Sequence, residues 1–189
     1  MTASTPAPKT DPAAGSGAFR LEVAADGLAA LTFDLPGKSA NVFSRAAIFE
    51  LERIVADLGS RRDLTALVLL SAKPRIFIAG ADLEEIANIT DPSFATAASQ
   101  RVQALFSDWE ALPFPTIAAI QGTCMGGGTE LALACSYLVI SDRADIRIGL
   151  PEVRLGIVPG WGGCVRLPRK VGIRAALDMI LTGKAVLGK

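Results

Sequence analysis

A run of glycines followed by a glutamate is the feature of this sequence best suited to chemistry. Gly126–Gly128 precede Thr129 and Glu130, and an apolar segment with helical spacing follows. Consecutive glycines cost backbone entropy, so a purely structural segment would normally avoid them. At the start of a helix they leave unpaired N–H groups, at the positive end of the helix dipole, open to an approaching oxygen. The pattern indicates a site that stabilises negative charge developing on a carbonyl oxygen.

Two other interpretations of the glycines stay open at this point. In the first, they only allow a strand to turn tightly into a closely packed helix. In the second, they form a phosphate-binding loop, but the run is not GxGxxG and no Lys-Ser/Thr follows it. A second partial match, "GKAVLGK" at residues 183–189, also lacks the Ser or Thr and a helix to open.

A second glycine turn and a second glutamate strengthen the oxyanion interpretation. "FIAGAD", residues 77–82, reads as a strand that runs into a glycine turn, and Glu152 follows Pro151 among apolar residues. Two glutamates beside one pocket can serve as base and acid, because their proximity pushes their pKa values apart. The alternatives are that Glu130 only pairs with a helix dipole and that Glu152 is a solvated loop carboxylate.

The chain contains no histidine. This excludes Ser-His and Cys-His nucleophiles and most zinc sites, so acid–base chemistry falls to other side chains, and we predict no metal. Cys124, Cys135 and Cys164 lack CxxC spacing and are predicted to be reduced, buried cysteines of a cytoplasmic protein.

The composition limits the classes of molecule that the chain is expected to bind. The 189 residues include 19 basic and 19 acidic side chains, and half of all residues are apolar. These values are typical of one globular domain and do not favour nucleic acid as a partner. No apolar run reaches the length of a membrane span, and residues 1–18, rich in Ala, Pro, Thr, Ser and Gly, are predicted to be a disordered leader.

Residues 19–189 are predicted to form one α/β domain. A hairpin around Asp26-Gly27 and a helix capped by Ser44 come first, and strands and helices then alternate, which favours parallel pairing. The stretch "PEVRLGIVPGWGGCVRLPRKVG", beginning at Pro151, is interpreted as turn-rich, with Trp161 either shaping a pocket or, as we favour, filling the core.

Three segments together resemble the crotonase (enoyl-CoA hydratase/isomerase) superfamily: "FIAGADLEEI", "AAIQGTCMGGGTELALAC" and "IGLPEVRLGIVPGWGGCVRLPRKVG". The likeness is greatest to the hydratase part at the N-terminus of multifunctional fatty-acid oxidation proteins. The resemblance implies a spiral of repeated ββα units. It also implies that the C-terminal helices, which close the acyl pocket and help to build trimers in relatives, are missing, so that an exposed apolar face is expected.

The resemblance assigns roles to individual positions. It implies that the N–H groups of Ala81 and Gly127 form an oxyanion hole and that Glu130 and Glu152 are the catalytic glutamates. The residues that would line the coenzyme A site are Ser39, Ala40, Ala79, Asp82 and Gly126.

The implied activity is hydration of 2-enoyl-CoA thioesters in fatty-acid β-oxidation. No cofactor is expected beyond the coenzyme A of the substrate, and a homo-oligomer of trimer type is expected. Two alternatives remain: a 3-to-2 enoyl-CoA isomerase, and a truncated subunit or fragment that binds acyl-CoA or partner chains without turnover. A peptidase of the same superfamily is excluded, because its triad needs histidine.

Overall fold

Strands and helices alternate along the chain in a computed structural model that describes residues 9–10 and 17–188. Within these residues, one sheet has six strands in the order β1-β2-β3-β4-β6-β8, and a second has four in the order β10-β9-β7-β5. The strands are β1 Lys9–Thr10, β2 Phe19–Val23, β3 Leu28–Phe33, β4 Ala66–Ser71, β5 Ile76–Ile78, β6 Thr116–Ile120, β7 Thr123–Met125, β8 Tyr137–Ile140, β9 Arg147–Gly149 and β10 Val186–Leu187.

The domain is built from repeated ββα units, as predicted. The strands β4, β6 and β8 lie side by side and parallel in the large sheet, and β3 is parallel to β4. The strands β4, β6 and β8 are followed in the chain by β5, β7 and β9, which are short strands of the small sheet. These three strands are again parallel. Parallel neighbours end at the same edge, so the turns that follow β5 and β7 are brought together. The hairpin predicted around Asp26-Gly27 is confirmed as the antiparallel pair β2 and β3.

Six helices and one short 3-10 turn, Glu152–Leu155, accompany these strands in the described part of the chain. The helix α1 begins where it is predicted to begin: Ser44 is its N-cap, and the hydroxyl accepts a hydrogen bond from Ala47 N at 3.2 Å. Its apolar stripe is buried as the periodicity requires. The helices are α1 Arg45–Ser60, α2 Leu83–Ala87, α3 Pro92–Glu110, α4 Gly127–Ala134, α5 Gly163–Val171 and α6 Ile173–Thr182.

The helix α5 corrects the sequence interpretation. The stretch beginning at Pro151 is not turn-rich throughout, because residues 163–171 are helical. Gly162 before the helix, Gly163 at its first position and Pro168 within it hide the helical pattern. Tertiary packing overrides these signals: Leu167 is buried in a small apolar cluster with Leu150 and Ala176, and α5 packs on α4 and α6.

The start of the packed domain includes Ala18. Its N–H donates to Glu50 Oε2 at 2.7 Å, and its side chain is buried. Of the predicted disordered leader, residues 1–18, the structure describes Lys9–Thr10, which pair with β2, and residues 17–18. The rest of that segment lies outside the described residues.

A chain of aromatic rings connects the core to the region of the glutamates. Phe19 stacks on Phe33 with centroids 4.3 Å apart, and Phe33 on Phe43 at 5.5 Å. Phe43 and Phe106 each meet the Trp161 ring edge-on at 5.9 Å. Trp161, which is predicted to fill the core, is half-buried and packs against the core. None of the helices in the described residues has the length and apolar character needed to cross a membrane.

Candidate active site

The first candidate oxyanion donor is the backbone of Ala81, just after β5. Phe43 forms a parallel bridge to Ala81, in which Phe43 N donates to Gly80 O at 2.8 Å and Asp82 N to Phe43 O at 3.1 Å. In such a bridge the N–H of the central residue points away from its partner. The Ala81 N–H has no hydrogen-bond acceptor among the residues that the structure describes.

The second candidate donor is the first N–H of α4. Gly127 is a buried residue, and within the described ranges its N–H has no acceptor, as expected for the first turn of a helix. It lies close to the turn after β5: a Cβ atom placed on Gly80 would be 3.6 Å from Gly127 N and 3.2 Å from Met125 O. The two unpaired N–H groups therefore belong to neighbouring turns, one after each of two paired strands.

Two glycines of the run are required by close approaches at this point. Gly126 has φ +52°, and a Cβ on it would lie 2.9 Å from Glu152 Oε1. A Cβ on Gly127 would overlap the Trp161 ring. The tight-packing interpretation holds for Gly128, whose Cβ would lie 2.5 Å from Ile78 O. All three glycines thus allow other groups to pack closely against the start of α4.

Glu130 lies in the first turn of α4 with 2% of its surface exposed. Its Oε1 accepts hydrogen bonds from the backbone N–H groups of Trp161 and Gly163, both at 2.8 Å. Burial raises the pKa of Glu130 to about 7, against the two N–H groups, which lower it. The charge of Glu152 raises this pKa further, and that of Arg166 lowers it. Near neutral pH the carboxyl can therefore both take up and release a proton.

Glu152 begins the 3-10 turn and is also buried, so the alternative of a solvated loop carboxylate does not hold. Burial is the main cause that raises the pKa of Glu152. Its Oε2 is buried without a hydrogen-bond partner among the described residues. A buried acceptor of this kind normally binds water or a ligand group, so Oε2 is free to hold one.

Of the residues expected to line a coenzyme A site, Gly126 lies in the turn after β7, and the other four fall on two adjacent segments. Ser39 and Ala40 precede Asn41, whose carbonyl accepts from Ala79 N at 2.8 Å, and Asp82 follows Ala81. The Asp82 carboxylate caps α2, accepting from the N–H groups of residues 84 and 85 at 3.0 and 3.4 Å. The structure thus brings these positions together with the two unpaired N–H groups.

Sequence reasoning missed the groups that hold this arrangement in place. Asn41 is fully buried, and its side chain accepts from Leu35 N at 2.8 Å and donates to Phe33 O at 2.8 Å and Ser71 Oγ at 2.9 Å. The N–H groups of residues 161 and 163 and the buried Arg166 were missed as well. The only signal for them is the glycine-rich "PGWGG" turn, and no local pattern shows that it faces Glu130.

The acid–base groups define the site more sharply than cavity volume does. A cleft of about 710 Å³ opens between α1 and α3, over Val55 and Leu105, away from both glutamates. The described residues contain no group of three or more His, Cys, Asp or Glu side chains that could hold a metal.

The expectation of three buried cysteines is wrong at one position, because Cys164 is exposed.

Comparison with known proteins gives consistent results. A model of the enoyl-CoA hydratase/isomerase family matches residues 24–189. The fatty acid oxidation complex subunit alpha of Shewanella baltica is 46% identical over 171 residues, which are 90% of this chain and 24% of that protein. The chain therefore spans about a quarter of the length of this curated relative.

Solved structures show the same fold. An enoyl-CoA hydratase from Geobacillus kaustophilus HTA426 has a TM-score of 0.85 at 30% identity, over 92% of this chain and 64% of that one. An enoyl-CoA hydratase from Bacillus anthracis has a TM-score of 0.82 at 32% identity, over 90% of this chain and 64% of that one. The fold predicted from the resemblance, a crotonase-type spiral of ββα units, is confirmed.

Proposed function

Because the chain belongs to the enoyl-CoA hydratase/isomerase family, we propose that it adds water across the 2,3 double bond of 2-enoyl-CoA thioesters. The observation that carries the proposal is the pair of buried glutamates, Glu130 and Glu152, beside two unpaired backbone N–H groups. A role in fatty-acid β-oxidation is supported by the similarity to a subunit named for fatty acid oxidation.

The unpaired N–H groups of Ala81 and Gly127 are proposed to receive the thioester carbonyl oxygen. Nucleophilic addition at C3 pushes an electron pair toward this oxygen, so negative charge develops there. Donors held in place before the reaction stabilise that charge without reorganising, and removing one such donor typically costs about 3–4 kcal/mol.

The two carboxyl groups are proposed to hold the attacking water and to move its protons. The oxygen of water bonds to C3 while one glutamate takes a proton from it, and the other glutamate delivers a proton to C2. The elements of water are thereby added, and the two glutamates exchange protonation states. A pKa of about 7 suits Glu130 to either role, and the unpartnered Oε2 of Glu152 supplies an acceptor for the water.

The coenzyme A part of the substrate is proposed to lie along the two segments that lead to Ala81. Ser39 and Ala40 form one side, and Ala79 and Asp82 form the other, with Gly126 at the end nearest the glutamates. On this proposal the thioester enters between the turns after β5 and β7. No cofactor is invoked, since coenzyme A belongs to the substrate.

A subunit that binds acyl-CoA without turnover is the second candidate, and one observation favours it. Large apolar side chains are exposed on the elements after Glu152, among them Val158, Ile173 and Leu181, each with more than 60% of its surface exposed. We propose that a further chain segment or a second copy covers them. A 3-to-2 isomerase remains a variant of the same chemistry, since a carboxyl pair can also move a proton between two carbons of an enoyl thioester.

The test is turnover of crotonyl-CoA, followed as loss of the ultraviolet absorbance of the conjugated enoyl thioester. We expect turnover by the unchanged chain and a fall in kcat of about 10²–10⁴-fold in Glu130→Gln and in Glu152→Gln. The matched control is Glu84→Gln, an exposed carboxylate of α2, which should leave kcat unchanged. Coenzyme A binding without turnover by the unchanged chain would contradict the hydratase proposal and support the second candidate.

A further inference from the structure

The turn before α5 orients Glu130, and it is tied to α3 at Gly160. Trp161 in this turn and Gly163 at the start of α5 donate both hydrogen bonds to Glu130 Oε1. The Gly160 carbonyl accepts from Ser99 Oγ at 2.8 Å and from Gln103 Nε2 at 2.6 Å. The direction of the two N–H groups therefore depends on side chains of a helix far away in sequence.

Arg166 makes the second set of ties to the same turn. Its guanidinium donates to Trp161 O at 3.3 Å and to two side chains of α3, Glu110 Oε2 at 3.0 Å and Ser107 Oγ at 3.4 Å. Residues 99, 103, 107 and 110 follow helical spacing and share one face of α3. This face thus holds both the turn and the arginine behind it.

Burial of a charged arginine side chain is energetically unfavourable. Arg166 has 9% of its surface exposed, and Glu110, the carboxylate with which it forms an ion pair in the described part of the chain, has 54% of its side chain exposed. Removing a charge from water is unfavourable, and the attraction between the two partners of such a pair compensates for it only in part. An apolar side chain at this position would often give the folded protein a similar stability. The rigid guanidinium of Arg166 instead holds the Trp161 carbonyl and the helix α3 in one relative geometry, because its donors reach both.

We propose that Arg166 is a positioning residue for Glu130, acting through the Trp161–Gly163 turn. It fixes the turn so that both N–H groups face Oε1, and it places a positive charge near a buried carboxyl group. The positioning role of Arg166 is inferred from the geometry alone. Its consequence for turnover rests on the proposed hydratase function.

The charges around Glu130 predict the direction in which its pKa moves when Arg166 is replaced. The charged groups that act on Glu130 are Glu152 in the 3-10 turn, which raises its pKa, and Arg166 on α5, which lowers it. The third neighbour, Cys164, is a thiol whose own pKa is raised, so it is neutral near pH 7. Loss of Arg166 removes the cation and loosens the two N–H donors, so both effects raise the pKa of Glu130 further.

The experiment compares Arg166→Met with Arg169→Met, an exposed arginine of the same helix. The first readout is a carbon-13 NMR titration of the Glu130 carboxyl, assigned by its absence in Glu130→Gln. We expect the midpoint to move above about 7 in Arg166→Met and to stay in place in Arg169→Met. The second readout is turnover of crotonyl-CoA, where we expect kcat to fall about 10²-fold with little change in KM, as when a catalytic group is misplaced.

A midpoint unchanged in Arg166→Met, or shifted equally in Arg169→Met, would overturn the inference. If Arg166→Met does not fold, Gln103→Leu removes only a tie to Gly160 and is expected to raise the midpoint. Absence of that shift would also overturn the inference. A shifted midpoint in a chain that does not hydrate crotonyl-CoA would leave the positioning role standing and remove the proposed function.

Discussion

The N–H of Gly163 donates to Oε1 of Glu130 at 2.8 Å, across 33 positions of the chain. This bond fixes the direction of a carboxyl group that is almost entirely removed from water. Removal from water, in turn, raises the pKa of Glu130 to about 7. Packing of α5 against α4 thereby sets the protonation state of a residue that local sequence would leave fully ionised.

The first prediction is that Glu130 makes stability fall as pH rises. The folded state holds the proton up to about pH 7, whereas the usual pKa is 4.5, so the folded chain binds more protons between these values. Glu130→Gln should therefore be more stable than the unchanged chain at pH 8, by at most about 3–4 kcal/mol, and similar at pH 4. Urea denaturation at the two pH values measures this difference, and an equal difference at both would contradict it.

The second prediction concerns the contact of Gly127 with Trp161. Gly127→Ala should destabilise the protein by about 1–3 kcal/mol and lower turnover, because its methyl group overlaps the indole ring and displaces the N–H donor. The measure is the free energy of unfolding together with kcat. Gly59→Ala is the control: no atom approaches its Cβ position within 4 Å, so this helical site should gain about 0.5–1 kcal/mol. Unchanged stability of Gly127→Ala would show that the ring moves freely.

The third prediction is that Asn41 stabilises the loop before α1. Asn41→Ala leaves the half-buried Leu35 N unpaired, which costs about 1–3 kcal/mol. It also removes one of the two hydrogen bonds to Phe33 O, which keeps the one from Ala72 N. We also expect weaker binding of coenzyme A, measured by calorimetry, since the loop carries Ser39 and Ala40. Asn88→Ala removes one exposed hydrogen bond and should change stability by less than about 0.5 kcal/mol. Equal effects of the two substitutions would rule out the role given to Asn41.

The fourth prediction is that Cys164 alone reacts rapidly with a thiol reagent in the folded chain. Cys124 and Cys135 are buried, and burial raises the pKa of each to about 12, whereas Cys164 is exposed. Partial burial, then the charges of Glu130 and Glu152, raise the pKa of Cys164 as well, so its reaction should speed up as pH rises. Colorimetric thiol counting should give one fast thiol, absent in Cys164→Ser, and a rapid second thiol would contradict the assignment.

Sequence reasoning succeeded for elements with strong local signals. The helix α1 has a serine cap and a regular apolar stripe, and the β2–β3 hairpin has an Asp-Gly turn; both lie where they are predicted. It failed for α5, where Gly162, Gly163 and Pro168 suggest a turn. There the buried contacts of Leu167 with other elements outweigh local propensity.

The sequence by itself determined the kind of chemistry that is available. A chain with no histidine but with three glycines shortly before Glu130 points to carboxyl groups and backbone N–H donors, and its three motifs indicate the family. Only the tertiary structure decided which groups meet. The bonds of Gly163 to Glu130, of Gly160 to Ser99 and of Arg166 to Glu110 span 33, 61 and 56 positions. Such contacts, and the burial that sets a carboxyl pKa, arise from the pairing and packing of distant segments, which no local pattern encodes.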